Sequence, residues 1–193
     1  METSEAVGRD AVYFTHPGPD NTDTTLTLAQ KRAETLGINN IIVATTKGQT
    51  GVKAAELFKD CNLIVVTHST GFTRPDVQEL TKDNRLKIID AGGKILTCQH
   101  AFGGVGRAVR KKLGTYELEE LVAYTLRIFG EGTKVACEMA LMVADAGLVR
   151  TDEEVISIAG TGRGADTALV IQPANAQTFF DMRIKEIICK PRL

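Results

Sequence analysis

The chain has 193 residues, 43% hydrophobic and 24% charged, with a net charge of −1. That length supports one domain with a real core, and the near-neutral charge gives no pull toward nucleic acid or an anionic membrane. The absence of Trp and an aromatic share of 5% argue against a base-stacking platform, and no apolar run approaches the length of a membrane span.

Residues 1–10 (METSEAVGRD) are polar and lack the apolar segment of a signal peptide, so a cytoplasmic protein with a flexible start is expected. "AVYFTH" then reads as a strand. "PGPDNTD" is a turn cluster ending in capping residues, and Asn21 within it is a candidate pocket-lining residue. Leu26, Ala29, Ala33 and Leu36 mark an amphipathic helix closed by Gly37.

Residues 41–44 are a fully apolar run, the pattern of a strand buried on both faces. Residues 45–51 form a loop, in which Thr50 is the helix cap if the loop is an ordinary connection, and Val52, Ala55 and Phe58 recur at helical spacing. Residues 63–66 repeat the buried-strand pattern. Pro75 suits the first turn of a helix that reaches residue 91 and stops at Gly92-Gly93. "KILTCQH" is a third such strand.

"AFGGVGRAVRKKLG" reads as a glycine-rich, basic connection. Two helices follow back to back. Residues 116–129 are amphipathic through Leu118, Leu121, Val122, Leu126 and Phe129, and residues 133–146 are apolar nearly all round, so buried. Gly130 and Gly132 separate them, and Gly147 closes the second. "VISIAGTGRGADTALVIQPA" contains Gly160-x-Gly162-x-Gly164 after a strand. A second strand follows rather than a helix, so the segment is not a dinucleotide fingerprint. "FFDMRIKEIICKPRL" is read as a tail. Strands alternating with helices imply one α/β domain over residues 1–193, with a parallel sheet covered on both faces.

In such sheets ligands bind outside the carboxyl ends of the strands. Thr45, Thr46, Lys47, Gly48, Gln49 and Thr50 fall there, before a helix N-terminus whose free amides favour phosphate. The loop is not a Walker A motif, because the order GK[ST] is absent. It reads as a phosphate site or as an ordinary capped connection. The histidines His16, His68 and His100 each end a predicted strand, which allows a three-histidine zinc site or three polar rim residues. No element holds two of them and no carboxylate partner is evident, so no metal ligand set is assigned. His68 and His100 lead into glycine-bearing loops and can contact a ligand. The cysteines Cys61, Cys98, Cys137 and Cys189 form no CxxC pair, which fits reduced structural thiols.

On the buried helix, Lys134, Glu138 and Asp145 fall within about 40° of one another. This charged stripe is either a solvated edge or part of a pocket wall. In the glycine turn, Arg163 and Asp166 either face a ligand that the glycines let approach closely or sit in a plain hairpin tip.

"IIVATTKGQTGVKAAELFKDCNLIVVT" and "VISIAGTGRGADTALVIQP" resemble the C-terminal domain of pyruvate kinase. With "YFTHPGPDNTDTTLTLAQKRAETLG", "HSTGF", "GTKVACEMALMVADAGL" and "FFDMRIKEIICKPR", the chain is similar to the small stand-alone relatives of that domain over residues 13–192. The resemblance implies a three-layer α/β/α domain with a mixed, mostly parallel five-stranded sheet and one antiparallel edge strand. It also implies flavin mononucleotide (FMN) as cofactor. Its phosphate would lie on Thr45, Thr46, Gly48 and Thr50, and its ring near Thr67, His68, Gly71 and Gly160, Gly162, Arg163, Gly164 and Asp166. Two departures from the relatives, Asn175 for a histidine and Gly106 for a glutamate, weaken catalytic roles at those places. The expectation is a protein that binds a small phosphorylated molecule, without nucleic acid or membrane partners, and that is a candidate homo-oligomer. The alternatives are a non-catalytic effector-sensing module and a three-histidine zinc hydrolase. No part of pyruvate kinase's catalytic barrel is present, so that activity is not expected.

Overall fold

The structure, a computed structural model, describes residues 10–192, so the expected flexible stretch 1–10 lies outside the described residues except for Asp10. Seven strands form one sheet: β1 (Val12–Phe14), β2 (Asn40–Ala44), β3 (Asn62–Val66), β4 (Lys94–Leu96), β5 (Val155–Ala159), β6 (Thr167–Gln172) and β7 (Arg183–Pro191). Their spatial order is β1-β7-β6-β5-β2-β3-β4. Only β6 opposes its neighbours, β5 and β7, while the β1–β7, β5–β2, β2–β3 and β3–β4 pairs are parallel. The mixed, mostly parallel sheet is as expected. Its size is not, because seven strands replace five and the reversed strand lies inside the sheet rather than at its edge.

The strand missing from the sequence reading is β1's partner. The segment read as a tail is β7, the longest strand, which hydrogen-bonds β6 on one side and β1 on the other. Register shifts against β6 break its alternation, so its apolar period is not a clean two.

Alternation along the central strands divides the core into two layers. Ile41 and Val43 of β2 point to the face covered by α1 (Thr22–Leu36), α2 (Gln49–Leu57) and α3 (Lys82–Asp90). Ile42 and Ile64 point to the opposite face, under α5 (Leu118–Arg127) and α6 (Glu131–Asp145). This is a three-layer α/β/α arrangement. Gly37, at φ 67°, ends α1 as expected, since that left-handed conformation suits glycine. A part-buried, two-pronged Arg32–Glu186 ion pair, at 2.7 and 2.5 Å, fastens α1 to β7.

Two helix expectations are corrected. The helix placed from Pro75 begins only at Lys82, capped by the Thr81 hydroxyl on the Asn84 amide. Residues 69–80 instead form a loop, in which Gly71 N donates to Val77 O and the Gln78 amide donates to His68 O. The basic connection after His100 contains α4 (Val105–Leu113), whose last turn carries Arg110, Lys111 and Lys112 and which ends on Gly114 at φ 73°. Among the described residues no helix is long and apolar enough to cross a membrane.

Candidate functional site

Because β1 to β5 and β7 run one way, the loops after β1 to β5 gather at one edge of the sheet. The chain passes from β2 outward through β3 and β4, then returns to place β5 on the other side of β2. That reversal makes a crevice outside β2 and β5, the switch point at which open α/β sheets hold ligands. A cleft of about 710 Å³ occupies it, within the range of small-molecule sites.

The phosphate-loop candidates form one wall. Thr45, Thr46, Lys47 and Thr50 line the cleft beside Gln49. The loop is less exposed than a capped surface connection: Thr45 and Thr50 are buried and Thr46 is half-buried. Thr50 is not the cap. Gly48 precedes α2 at φ 109°, and a Cβ there would lie 2.3 Å from Asn84. The Lys47 carbonyl accepts from the Asn84 side chain at 2.9 Å, so the loop is clamped on α3. Gly48 is therefore behind the wall rather than in it.

The glycine turn forms the facing rim through Gly160, Gly162, Arg163 and Gly164. Its glycines serve two purposes. A Cβ on Gly160 would lie 2.6 Å from the Gly164 carbonyl, and one on Gly164 would lie 2.5 Å from Pro19 Cα, so these two are fixed by the chain's own packing. Gly162 alone, at φ 80°, faces open space. Asp166 is buried and outside the cleft lining. It accepts the amides of Gly18 and Thr161 and the Thr167 hydroxyl. Asn21 and Gly71 also fall outside the lining, Asn21 being engaged with the carbonyls of His16 and Gly18.

On the floor, α6 settles the question of the charged stripe. Lys134 and Glu138 are buried, line the cleft and pair at 2.5 Å. Asp145 is exposed and instead accepts from the side chain of Asn175 and the amide of Ala176, at 3.0 and 3.1 Å. Glu131, Val135, Met139 and Met142 complete the same helical face. Their i, i+4, i+8, i+11 spacing was readable in the sequence once Lys134 and Glu138 had been singled out.

His68 and His100 do converge, with ring centroids 5.6 Å apart and Thr67 behind them. His68 Nδ1 meets Glu79 Oε2 at 2.7 Å. That bond leaves Nε2 as the ring's other polar atom, the arrangement by which a carboxylate fixes an imidazole. His100 Nε2 accepts the Ser69 amide at 3.4 Å, and its Nδ1 lies 3.8 Å from Glu138. Burial pushes His100 down to about 4. Glu138 opposes that shift, while His68, Lys134 and Arg107 add to it, so the ring is neutral at pH 7. Phe72 stacks on both rings, at 4.1 Å from His68 and 5.0 Å from His100.

The third histidine stands apart. His16 is exposed and follows β1 at the far edge of the sheet, five strand positions from β3. Among the described residues no group of three His, Cys, Asp or Glu side chains could hold a metal. The three-histidine zinc site therefore lacks its geometry. Burial raises the pKa of all four thiols, Cys137 to about 12 and Cys189 to about 11, and none is disulfide-bonded.

The sequence did not reveal Phe72, Glu79, Arg107 and Arg127 as cleft residues. Glu79 lies in the stretch expected to be helical from Pro75, and Phe72 in the loop just before it. Arg107 lies in α4, read as a connection, and Arg127 was read only as part of an amphipathic helix. Gly106, the second departure noted above, lies buried in α4, where a Cβ would meet Glu119.

Residues 23–171 match the family described as "Pyruvate kinase, alpha/beta domain". Among solved structures, an O-ureido-L-serine synthase is 17% identical, covers 69% of this chain and 49% of its own, and has a TM-score of 0.31. An NH3-dependent NAD synthetase from Campylobacter jejuni subsp. jejuni NCTC 11168 is 14% identical, with 70% and 54% covered and a TM-score of 0.30. The chain thus spans about half the length of the solved structures it matches, and both scores lie below the level of a shared fold.

Proposed function

From the premise that the chain belongs to the pyruvate kinase alpha/beta-domain family, we propose that its cleft binds a phosphate-bearing cofactor or metabolite, with FMN the first ligand to test. The observation that carries this reading is the wall at residues 45–50. Thr45, Thr46, Lys47 and Thr50 line the cleft beside the N-terminus of α2 at the switch point of the sheet, where hydroxyls, a cation and a helix's positive end favour phosphate. Arg163 adds positive charge on the facing rim.

The residues present also fit a flat ring system. Ala44, Val66, Met139 and Met142 give an apolar floor, and the stacked rings of His68, Phe72 and His100 add aromatic surface beside it. Thr46, Thr50 and Lys47 would hold the phosphate. A bound flavin would supply electron transfer, and no reaction is assigned to it. Four free thiols with raised pKa values suit a reducing, cytoplasmic setting.

The test is titration of the purified chain with FMN and with riboflavin, read by quenching of flavin fluorescence. FMN is expected to bind at least about tenfold more tightly, since the phosphate makes several charged hydrogen bonds. Equal affinity would remove the phosphate site. Binding of phosphorylated metabolites in place of either flavin, with no turnover, would leave the effector-sensing module.

A further inference from the structure

We propose that Arg107 forms a second anion subsite at the β3–β4 end of the cleft, so that this site takes a phosphate ester that also carries a carboxylate. The inference rests on the phosphate assignment at residues 45–50, taken with a phosphorylated metabolite rather than FMN as occupant, since FMN has no carboxylate, and adds the chemical class of that metabolite's other end.

Lys47 and Arg163, at the phosphate wall and the facing rim, have no ion-pair partner among the described residues, and the cleft's remaining cations fall into two groups. Lys134 pairs with Glu138, Arg127 with Glu131 and Lys53 with Asp23. Arg107 has no ion-pair partner among the described residues. Its guanidinium carbon lies 4.8 Å from the Phe72 ring centre. Stacking engages the face of the guanidinium and leaves its N–H edge available. The nearby carboxylates do not neutralise it. Glu79 is held by His68, and Glu138 is held by Lys134 and by the Phe102 amide at 2.9 Å. His100 is kept neutral, so it adds no competing charge. Arg107 also stands in the first turn of α4, whose amide end reinforces the positive field.

The position matters as much as the charge. The phosphate wall follows β2, whereas the side chains around Arg107 follow β3 and β4. One to two strand spacings, on the order of 5–10 Å, separate those loops. A short sugar-acid chain has that reach. One planar guanidinium fork matches a carboxylate. A second phosphate would bring two charges to a place with a single unpaired cation.

Calorimetric titration of the full chain with two acyclic probes tests this. 6-Phosphogluconate and sorbitol 6-phosphate differ by a carboxylate against an alcohol. The carboxylate compound is expected to bind about tenfold to a hundredfold more tightly. Arg107→Ala should erase that difference and leave sorbitol 6-phosphate affinity unchanged, while Arg107→Lys should keep part of it. Thermal melts confirm that each variant is folded. Equal affinity for the two probes, an equal loss for both in Arg107→Ala, or tighter binding of fructose 1,6-bisphosphate than of 6-phosphogluconate overturns the carboxylate subsite. Binding of neither sugar phosphate overturns the phosphate reading together with it. A persistent carboxylate preference with no effect of Thr46→Val on either probe removes the phosphate wall alone.

Discussion

The buried carboxylate of Asp166 accepts the amide of Gly18 at 2.9 Å, across 148 positions of sequence. It also takes the Thr161 amide at 3.1 Å and the Thr167 hydroxyl at 2.8 Å. One side chain therefore joins the β1–α1 connection to the β5–β6 turn. Asp166→Ala should lower stability by about 3 kcal/mol, because it leaves three donors without their acceptor in a buried place. Asp166→Asn, which keeps one acceptor oxygen, should lose less. Equilibrium urea unfolding measures both, and a loss under about 1 kcal/mol for the alanine variant would show that the junction is held by other contacts.

The turn's glycines should separate by mechanism. Gly164→Ala places a Cβ 2.5 Å from Pro19 and from the Thr22 hydroxyl, which itself accepts the Ala165 amide. Backbone must move there, and the start of α1 with it. Gly162→Ala meets open space and bears only the left-handed backbone, about 1 kcal/mol. Melting temperatures should rank Gly164→Ala well below Gly162→Ala. A Gly162→Val variant should stay folded and lose ligand, since it alone narrows the cleft mouth. Unchanged FMN binding in that variant would reduce the turn to a connector.

The central strands and the buried α6 were legible because their signals are local: apolar runs, helical period and flanking glycines. β7 was not, since its apolar residues alternate through register shifts against β6, and its role depends on pairing β1 from the other end of the chain. Pro75 was misread because its preference for a first helical turn was overridden by the loop hydrogen bonds of residues 71–80. In the site, sequence order placed Thr45, Thr46 and His68 on the right edge. It could not distinguish a glycine needed for internal packing, such as Gly160, from one open to a ligand, such as Gly162. Arg107 was hidden for a related reason. The Gly-rich start of α4 masked the Val105–Val109 spacing and the basic last turn that mark a helix.

Thr46 is the position where binding and stability should come apart. Thr45 accepts the Gly51 amide and is buried, so changing it disturbs α2 itself. Thr46 is half-buried and lines the cleft. Thr46→Val keeps the shape and removes one hydroxyl. FMN affinity should fall by about 1.5–3 kcal/mol, the value of a hydrogen bond to a charged group, while the melting temperature stays close to the parent. An unaltered dissociation constant would place the phosphate elsewhere.

His100 should make stability depend on pH in a defined window. Its folded pKa, about 4, lies below its ordinary value of 6.5. Between those values the unfolded chain holds a proton that the folded one does not, so stability rises with pH. The contribution of the neutral ring is complete above about pH 6.5 and is lost as pH falls through 4. Its size is on the order of 3 kcal/mol. Burial is the main cause. Lys134, Arg107 and His68 act in the same direction, and Glu138, facing Nδ1, acts against them. His100→Gln keeps an acceptor for the Ser69 amide but cannot titrate. Urea unfolding of parent and variant at pH 7 and pH 4.5 should show a larger fall for the parent. The difference isolates His100 from carboxylates that titrate in both proteins. Parallel falls in the two proteins would mean that folded His100 takes up its proton at its ordinary pKa, so that burial does not keep the ring neutral at pH 4.5.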